Sequence, residues 1–240
     1  MLSIYYKELR SFFSNATGYI VISIFLILTG LFLWVIPGQF NIPDSGYANV
    51  DGLFYIAPWL FLFLCPAVSM RLFAEEKQTG TWELMVSKPI SKWSIVAGKY
   101  LAGWTLVLLS LLPTLLYYFS VYYMAEPLGN VDSGAFWGSF LGLVFLSAVY
   151  VAIGTFASSL SSNQIVTFVV AVVISFVMLY CFDLIAAFFK SGSIIQTIEA
   201  LGINAHYKSI SRGVIDSRDI AYFLLVSLIF LFFTKIRISK

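Results

Sequence analysis

The sequence predicts an all-α, polytopic membrane protein. Hydrophobic residues make up 60 % of the 240-residue chain and charged residues only 11 %, far from the balance of soluble domains. A helix needs about 20 residues to cross about 30 Å of hydrocarbon. No part of the chain alternates with the period of two that a membrane barrel requires, so we expect six transmembrane helices. The six apolar stretches lie at about Gly18–Ile36, Gly52–Met70, Tyr100–Tyr123, Gly134–Ser158, Ile165–Phe182 and Ile220–Phe233.

Residues 1–16 precede the first apolar stretch and have the pattern of an amphipathic helix. At 100° per residue, the charged residues Lys7, Glu8 and Arg10 fall opposite the apolar ones, and Ile4 is the exception. We expect an interfacial helix lying flat on the membrane, with a charged extension of the first span as the alternative. The predicted apolar side consists of Leu2, Tyr5, Tyr6, Leu9, Phe12, Phe13 and Ala16.

The first apolar stretch could be mistaken for a signal peptide, but it is about 19 residues long. It is followed by Trp34 and Pro37, without a small-residue cleavage site. We therefore interpret it as a retained membrane helix.

The segment 71–99, between the second and third apolar stretches, is rich in charge. We expect the second membrane helix to continue through Glu75 and Glu76 and to stop at Gly80, because glycine is common just past a helix end. Pro89 ends the short helix that follows, and Ser91 is placed to cap the third membrane helix. The pattern predicts a two-turn helix held between two long ones.

The short helix begins at Thr81, whose hydroxyl is suited to cap it. Trp82, Met85 and Val86 share one face through their i, i+3 and i+4 spacing, and Glu83 in the first turn is favoured by the helix dipole. An exposed apolar face of this kind fits a groove in a partner protein or, alternatively, the lipid interface.

The distribution of Lys and Arg predicts the orientation. Ten of the 14 lie before the first span, in the segment 71–99 and after the last span, and the other four lie within 190–219. Because positive charge favours the cytoplasmic side, we expect both termini and the segment 71–99 in the cytoplasm. The external segment 190–219 should then form two short helices. Its start and stop residues are Ser193 with Gln196, Gly202, Asn204, Gly213, and Asp216 or Ser217.

Several kinds of chemistry are missing from the sequence. A single histidine, His206, excludes a multi-histidine metal site, and Gly98-Lys99 lacks the glycines of a phosphate-binding loop. The net charge of +2 is too small to indicate nucleic acid. Cys65 and Cys181 lie at different membrane depths, too far apart for a disulfide. Asp183 is the one acidic residue near a span, so energy for any transport is expected from a partner.

Three runs in the segment 71–99 resemble the pattern of ABC-2 type transporter permeases. The six-span layout and the amphipathic start resemble that family too, and the resemblance covers the whole chain. Residues 207–223 are similar to the gliding-motility-associated subgroup, GldF. The three runs are Glu75-Glu76-Lys77-Gln78-Thr79-Gly80-Thr81-Trp82-Glu83-Leu84, Ser87-Lys88-Pro89-Ile90-Ser91 and Gly98-Lys99-Tyr100.

The resemblance implies a permease subunit in the bacterial inner membrane, surrounded by lipid. Its implied partners are cytoplasmic ABC ATPase subunits and a second permease subunit, in a homodimer or heterodimer. Thr81–Ser87 would be a coupling helix seated in a groove of the ATPase. The implied ATPase-coupling residues are Glu75, Glu76, Gly80, Thr81, Trp82, Glu83, Leu84, Met85 and Pro89.

Two functions stay open at this point. In one, the partner's ATP hydrolysis drives export through the permease. In the other, nothing is transported, and the subunit transmits ATPase motion to an envelope secretion or motility machine. An intramembrane enzyme is disfavoured because no catalytic constellation exists. We expect one domain over residues 1–240, without cofactor, metal or nucleic acid.

Overall fold

The computed structural model describes residues 1–87, 89–213 and 216–239. It contains six helical segments long and apolar enough to cross a membrane, which confirms the predicted all-α, polytopic fold. The sixth predicted stretch was short, but its helix extends at both ends. Spans 1 to 6 are Ala16–Val35, Asp51–Gln78, Lys92–Met124, Ser133–Leu160, Gln164–Ala186 and Ser217–Arg237.

Most spans are built from more than one helical piece. The α-helices are α1 (Leu2–Ser14), α2 (Ala16–Gly30), α3 (Ile42–Ser45), α4 (Asp51–Ser69), α5 (Arg71–Gln78), α6 (Trp82–Val86), α7 (Lys92–Leu111), α8 (Leu115–Met124), α9 (Ser133–Leu160), α10 (Gln164–Phe176), α11 (Phe182–Ala186), α12 (Gly192–Glu199), α13 (Ile203–Ile210) and α14 (Ser217–Arg237). Span 3 passes through one 3₁₀ turn, Leu112–Thr114, at Pro113. π-Helical turns at Leu31–Val35 and Val177–Cys181 complete spans 1 and 5.

Span 4, the helix α9, forms the centre of the bundle. Its hydrophobic window is 78 % buried, whereas that of span 5 is 22 % buried. It packs against spans 2, 5 and 6. Gly154 makes the closest of these approaches, because a Cβ added there would lie 1.8 Å from Oγ of Ser69 on span 2. Spans 1, 5 and 6 therefore present the most apolar surface to lipid or to a partner.

The N-terminal helix α1 is separate from span 1, as predicted. Asn15 between them has an extended backbone, with φ −104° and ψ 160°. Ile4 and Glu8, which were expected away from the apolar side, are buried together with Phe12, and Leu2 is 64 % exposed. This face packs against α7. The buried side of α1 therefore meets a protein surface that accepts the carboxylate of Glu8.

The segment 190–219 contains the two predicted short helices, α12 and α13. The first begins after Ser191, not at Ser193, and no side chain caps it. Asp216 caps α14 by accepting a hydrogen bond from the amide of Arg218 at 2.8 Å. Both cysteines are free, and Cys65 is buried.

Candidate functional site

The charged segment 71–99 folds as a continuation of two spans joined by one short helix. Span 2 reaches Gln78, and Gly80 has φ +72°, the left-handed conformation that ends a helix at low cost for glycine. Ser91 caps α7, and its hydroxyl accepts a hydrogen bond from the amide of Ser94 at 3.2 Å. These local predictions are confirmed. Lys88 lies outside the described residues, and Pro89 beside it is exposed.

The short helix α6 presents a different face from the one predicted. Trp82 and Met85 are half-buried against the bundle, and the Trp82 ring meets Phe73 edge to face, with centroids 5.7 Å apart. Leu84 is 68 % exposed, and Glu83 beside it also faces outward. Thr81 stands at the helix start, but its hydroxyl caps no amide of the helix. The spacing correctly predicted that Trp82 and Met85 share a face, but this face packs against the bundle. Val86, which was predicted on the same face, is 43 % exposed.

Lys99 is a fully buried cation near the start of span 3. Its Nζ lies 2.9 Å from Oε1 of Glu8 on α1 and 3.0 Å from Oε2 of Glu76 on α5. It also donates to the carbonyl of Leu72. A buried ammonium is tolerated only when it is paired and hydrogen-bonded, and here three acceptors surround it.

Lys7 completes a cluster of two cations and two carboxylates, Lys7, Glu8, Glu76 and Lys99, which we call the charge cluster. Its Nζ donates to Oε1 of Glu76 at 2.7 Å and lies 3.5 Å from Oε1 of Glu8. Burial alone would lower the pKa of Lys7, but Glu76 and Glu8 outweigh it, and the pKa is raised. The cluster is neutral in sum and joins α1, α5 and α7.

The adjacent Gly98 explains how α1 comes close enough to reach Lys99. A Cβ at position 98 would lie 3.0 Å from the carbonyl oxygen of Met1 and 3.1 Å from Cβ of Ile4. A larger side chain would hold α1 away from α7. The Gly-Lys pair thus serves helix packing and ion pairing, not phosphate binding.

Glu75, the other member of the acidic pair, points to a different partner. Its Oε2 accepts from Nε of Arg71 at 3.0 Å, and it remains 44 % exposed. Arg71 also donates to Thr17 Oγ1 at 3.0 Å and Ser11 Oγ at 3.2 Å, on both sides of the α1–α2 break. Glu75 therefore acts through Arg71 and Glu76 through Lys7, and both carboxylates help to link α5 to the N-terminal helices.

The end of span 4 fixes α5 from the opposite side. Oγ of Ser158 accepts from the amides of Phe73 at 2.9 Å and Ala74 at 3.1 Å, and it donates to the carbonyl of Met70. Lys77 donates to the carbonyl of Ser159. The uncharged stretch 158–164 begins in the last turn of α9. The structure shows that it satisfies the backbone groups left open between α4 and α5.

Sequence reasoning missed the charge cluster and Ser158. One signal was available for the first: Ile4, Glu8 and Phe12 follow each other at i+4 spacing and mark a face of α1. The partners in the other helices are too distant in the sequence to be paired by pattern. Within the described residues, no group of His, Cys, Asp and Glu has a metal-binding arrangement.

A second candidate site is a cavity of about 650 Å³ at the opposite end of the bundle. Its wall includes Trp59 of span 2 and Tyr180 of span 5, whose rings stack with centroids 4.8 Å apart. Tyr207 and Lys208 of α13 line the same space. The hydroxyl of Tyr207 donates to the carbonyl of Phe54 at 2.8 Å and so ties α13 to span 2.

A protein family matches most of the chain. The family described as ABC-2 family transporter protein matches residues 39–232, which is most of the chain and includes α5, α6, α7 and the cavity-lining residues. Among curated proteins, no relative matches. The matched region contains spans 2 to 5, most of span 6 and the charged segment between spans 2 and 3, while α1 and span 1 precede it. The chain belongs to the ABC-2 family of transporter proteins.

Proposed function

We propose that this protein is the transmembrane subunit of an ATP-binding cassette transporter and that α6 is its contact with a separate ATPase subunit. The observation that carries the proposal is the double-sided character of α6. Its inner side chains, Trp82 and Met85, pack on the bundle, while Leu84 remains 68 % exposed on the outer side. An apolar side chain on a short exposed helix suits a groove in a partner.

The charge cluster gives α6 a rigid connection to the membrane bundle. A force on α6 is passed to α5 through the Phe73–Trp82 contact and from Glu76 to α1 and α7. Nucleotide binding would shift the bundle only if the ATPase contacts α6 differently in its two states. Hydrolysis belongs to the partner in this proposal, and the chain itself is not an enzyme.

The proposed orientation places the charge cluster and both termini in the cytoplasm and the segment 190–219 outside. The asymmetry of Lys and Arg supports it. Labelling of single cysteines at Ser3, Ser87 and Ser193, in a Cys65→Ala, Cys181→Ala background, tests it. Ser193 should react with an impermeant maleimide in intact cells, and Ser3 and Ser87 only after permeabilisation. External reaction at Ser87 would overturn the orientation.

A dimer is proposed for the face formed by spans 2 and 5. Tyr55, Trp59 and Phe63 recur on span 2 at helical spacing and are exposed by 68, 48 and 56 %. Val169 and Val173 on span 5 are also exposed. The face suits a second permease subunit, identical or different, better than a single protein in lipid, because Tyr and Trp otherwise concentrate at membrane interfaces.

The second function, transmission without transport, is favoured by one observation. Three polar side chains inside the spans are buried and bond to their own helix backbone, so their hydroxyls are not free to bind a solute: Thr29 donates to Phe25, Ser110 to Val107 and Thr155 to Val151. In this second function, the subunit would transmit the motion to an envelope machine of the bacterial inner membrane. The resemblance of residues 207–223 to gliding-motility-associated permeases supports this choice.

One purification experiment tests the proposal and separates the two functions. The native complex, isolated through a tag on the chain, should contain an ABC ATPase, and its absence would contradict the proposal. ATPase activity of the reconstituted complex is then measured with and without envelope components. Stimulation by a solute indicates transport, and stimulation that needs an envelope protein indicates transmission.

A further inference from the structure

The only histidine of the chain, His206, uses both ring nitrogens in the lobe formed by α12 and α13. Its Nδ1 lies 2.7 Å from Oδ1 of Asp219, which belongs to span 6. Its Nε2 lies 2.9 Å from the carbonyl oxygen of Ala200, between α12 and α13. The ring also stacks on Tyr222 of span 6, with centroids 3.9 Å apart. One imidazole thus connects the α12–α13 link to span 6.

The two contacts of the His206 ring can both be hydrogen bonds only if enough hydrogens are present between the three groups. A carbonyl oxygen only accepts, and an ionised carboxylate only accepts, while a neutral imidazole has a single N–H. With neutral His206 and ionised Asp219, one of the two contacts therefore lacks a hydrogen. Both contacts are hydrogen bonds only when the pair holds one more proton, either as imidazolium with carboxylate or as neutral imidazole with carboxylic acid.

Burial of the carboxyl group adds to this requirement. Asp219 is 6 % exposed, and its Oδ2 has no hydrogen-bond partner among the described residues. His206 lies within ion-pair distance and forms an ion pair only when its ring is protonated, and no Lys or Arg of the described chain lies within that distance. A buried carboxylate without a cation is costly, so loss of the proton leaves a charge that only the first-turn position of Asp219 in α14 and one hydrogen bond offset.

The other groups around the ring do not replace the proton. From span 6, Tyr222 donates its hydroxyl to the carbonyl of Leu201 at 2.7 Å and is already occupied. Lys208, on the same helix as His206, lies 3.8 Å from Asp183 of α11. Asp183 also accepts from Asn204. Lys208 of α13 is thus paired with Asp183 of α11. The α12–α13 link provides the His206 ring only with a backbone carbonyl.

We propose that His206 and Asp219 form a proton-binding site that fastens the α12–α13 link to span 6. With the proton bound, both contacts hold. Without it, a ring nitrogen lone pair faces an oxygen lone pair, one hydrogen bond is lost, and the link is released. Because α13 lines the cavity through Tyr207 and Lys208, acid closes this wall of the cavity and alkali loosens it. The proton comes from the compartment that the lobe faces.

Nitrogen-15 spectroscopy of the purified full chain tests the proton directly. Because His206 is the sole histidine, ¹⁵N-histidine labelling gives the signals of one ring. Titration from pH 5.5 to 8.5 compares the wild type with Asp219→Asn, which keeps an oxygen acceptor but carries no charge. We expect Asp219→Asn to bind the extra proton about tenfold more weakly than the wild type, because the variant lacks the carboxylate charge.

The proton is recognised on the ring by imidazolium shifts, or on Asp219 by an infrared band of a protonated acid that disappears in Asp219→Asn. Either location supports the proposal. Coincident titration of both proteins with an ionised Asp219 overturns it.

A distance measurement tests the mechanical consequence and does not depend on whether the protein transports anything. Spin labels are placed at Thr197 on α12 and Leu225 on span 6, both exposed, in the cysteine-free background. We expect a narrow distance distribution at pH 5.5 and a broader one at pH 8.5. His206→Asn removes the imidazole, so a proton can no longer restore both ring contacts, and this variant should show no pH response. An unchanged wild-type distribution, or an equal response in His206→Asn, overturns the proposal.

Discussion

Nζ of Lys99 lies 2.9 Å from Oε1 of Glu8, although 91 residues separate them in the chain. The ammonium is fully buried, and Glu76 on α5 provides its second carboxylate at 3.0 Å. This pairing connects the N-terminal helix to the two spans that flank α6. The ATPase contact proposed for α6 would therefore act on three elements together.

Removal of the buried cation should strongly destabilise the bundle. Lys99→Met leaves Glu8 and Glu76 with Lys7 alone, and a broken buried ion pair costs about 3–5 kcal/mol. Thermal unfolding in detergent measures the loss, and Lys92→Met, on the same helix but half-buried, is the control. Glu8→Gln combined with Glu76→Gln should restore part of the stability of Lys99→Met. Equal melting of the two single variants would show that the cluster contributes nothing.

The raised pKa of Lys7 predicts a dependence on alkaline pH. A lysine whose pKa is higher in the folded state stabilises fully below its ordinary value of 10.5, and this contribution is lost as the pH rises through the folded-state pKa. Lys7 is 56 % exposed, so we expect less than about 1 kcal/mol. The melting difference between wild type and Lys7→Met, followed from pH 9 to 12, should shrink towards zero. A difference that stays constant over this range contradicts the assignment.

Leu84 should contribute to ATPase binding more than Trp82, because Trp82 is turned towards Phe73. Loss of an apolar anchor from an interface commonly costs about 2 kcal/mol, roughly a 30-fold loss of affinity. We expect Leu84→Ala to reduce recovery of the ATPase at equal membrane levels. Leu128→Ala is a matched control, since Leu128 is 67 % exposed and lies outside the segment 71–99. Equal recovery with both variants would remove α6 from the interface.

Gly154 should tolerate no side chain, because its added Cβ would lie 1.8 Å from Oγ of Ser69. Overpacking of this kind costs about 1–3 kcal/mol, and we expect Gly154→Ala to lower the melting temperature. Gly192→Ala is the control, since nothing lies within 4 Å of a Cβ there. Ser69→Gly should relieve the clash, so the double variant should be more stable than the sum of the single losses predicts.

The six spans and most helix boundaries between them could be predicted from the sequence alone. An apolar run of about 20 residues has the length and apolarity of a membrane span. In lipid it must be helical, because its backbone hydrogen bonds can be made only within the segment. Gly80, Ser91 and Asp216 act on their own neighbours, so their roles at helix ends follow from local chemistry. The short apolar helix after Thr81 was predicted on the same grounds.

Which face of each short helix is turned inward depends on contacts with segments that are distant in the sequence. A periodic pattern shows that α1 and α6 each have an apolar side, but it does not show what that side meets. Glu8 reads as a solvent-facing residue until α7 places Lys99 beside it, and Trp82 reads as exposed until α5 places Phe73 beneath it. The proton site of His206 and Asp219 likewise needs two helices and a carbonyl to meet. Such contacts depend on the approach of distant segments, and local spacing carries no information about that approach.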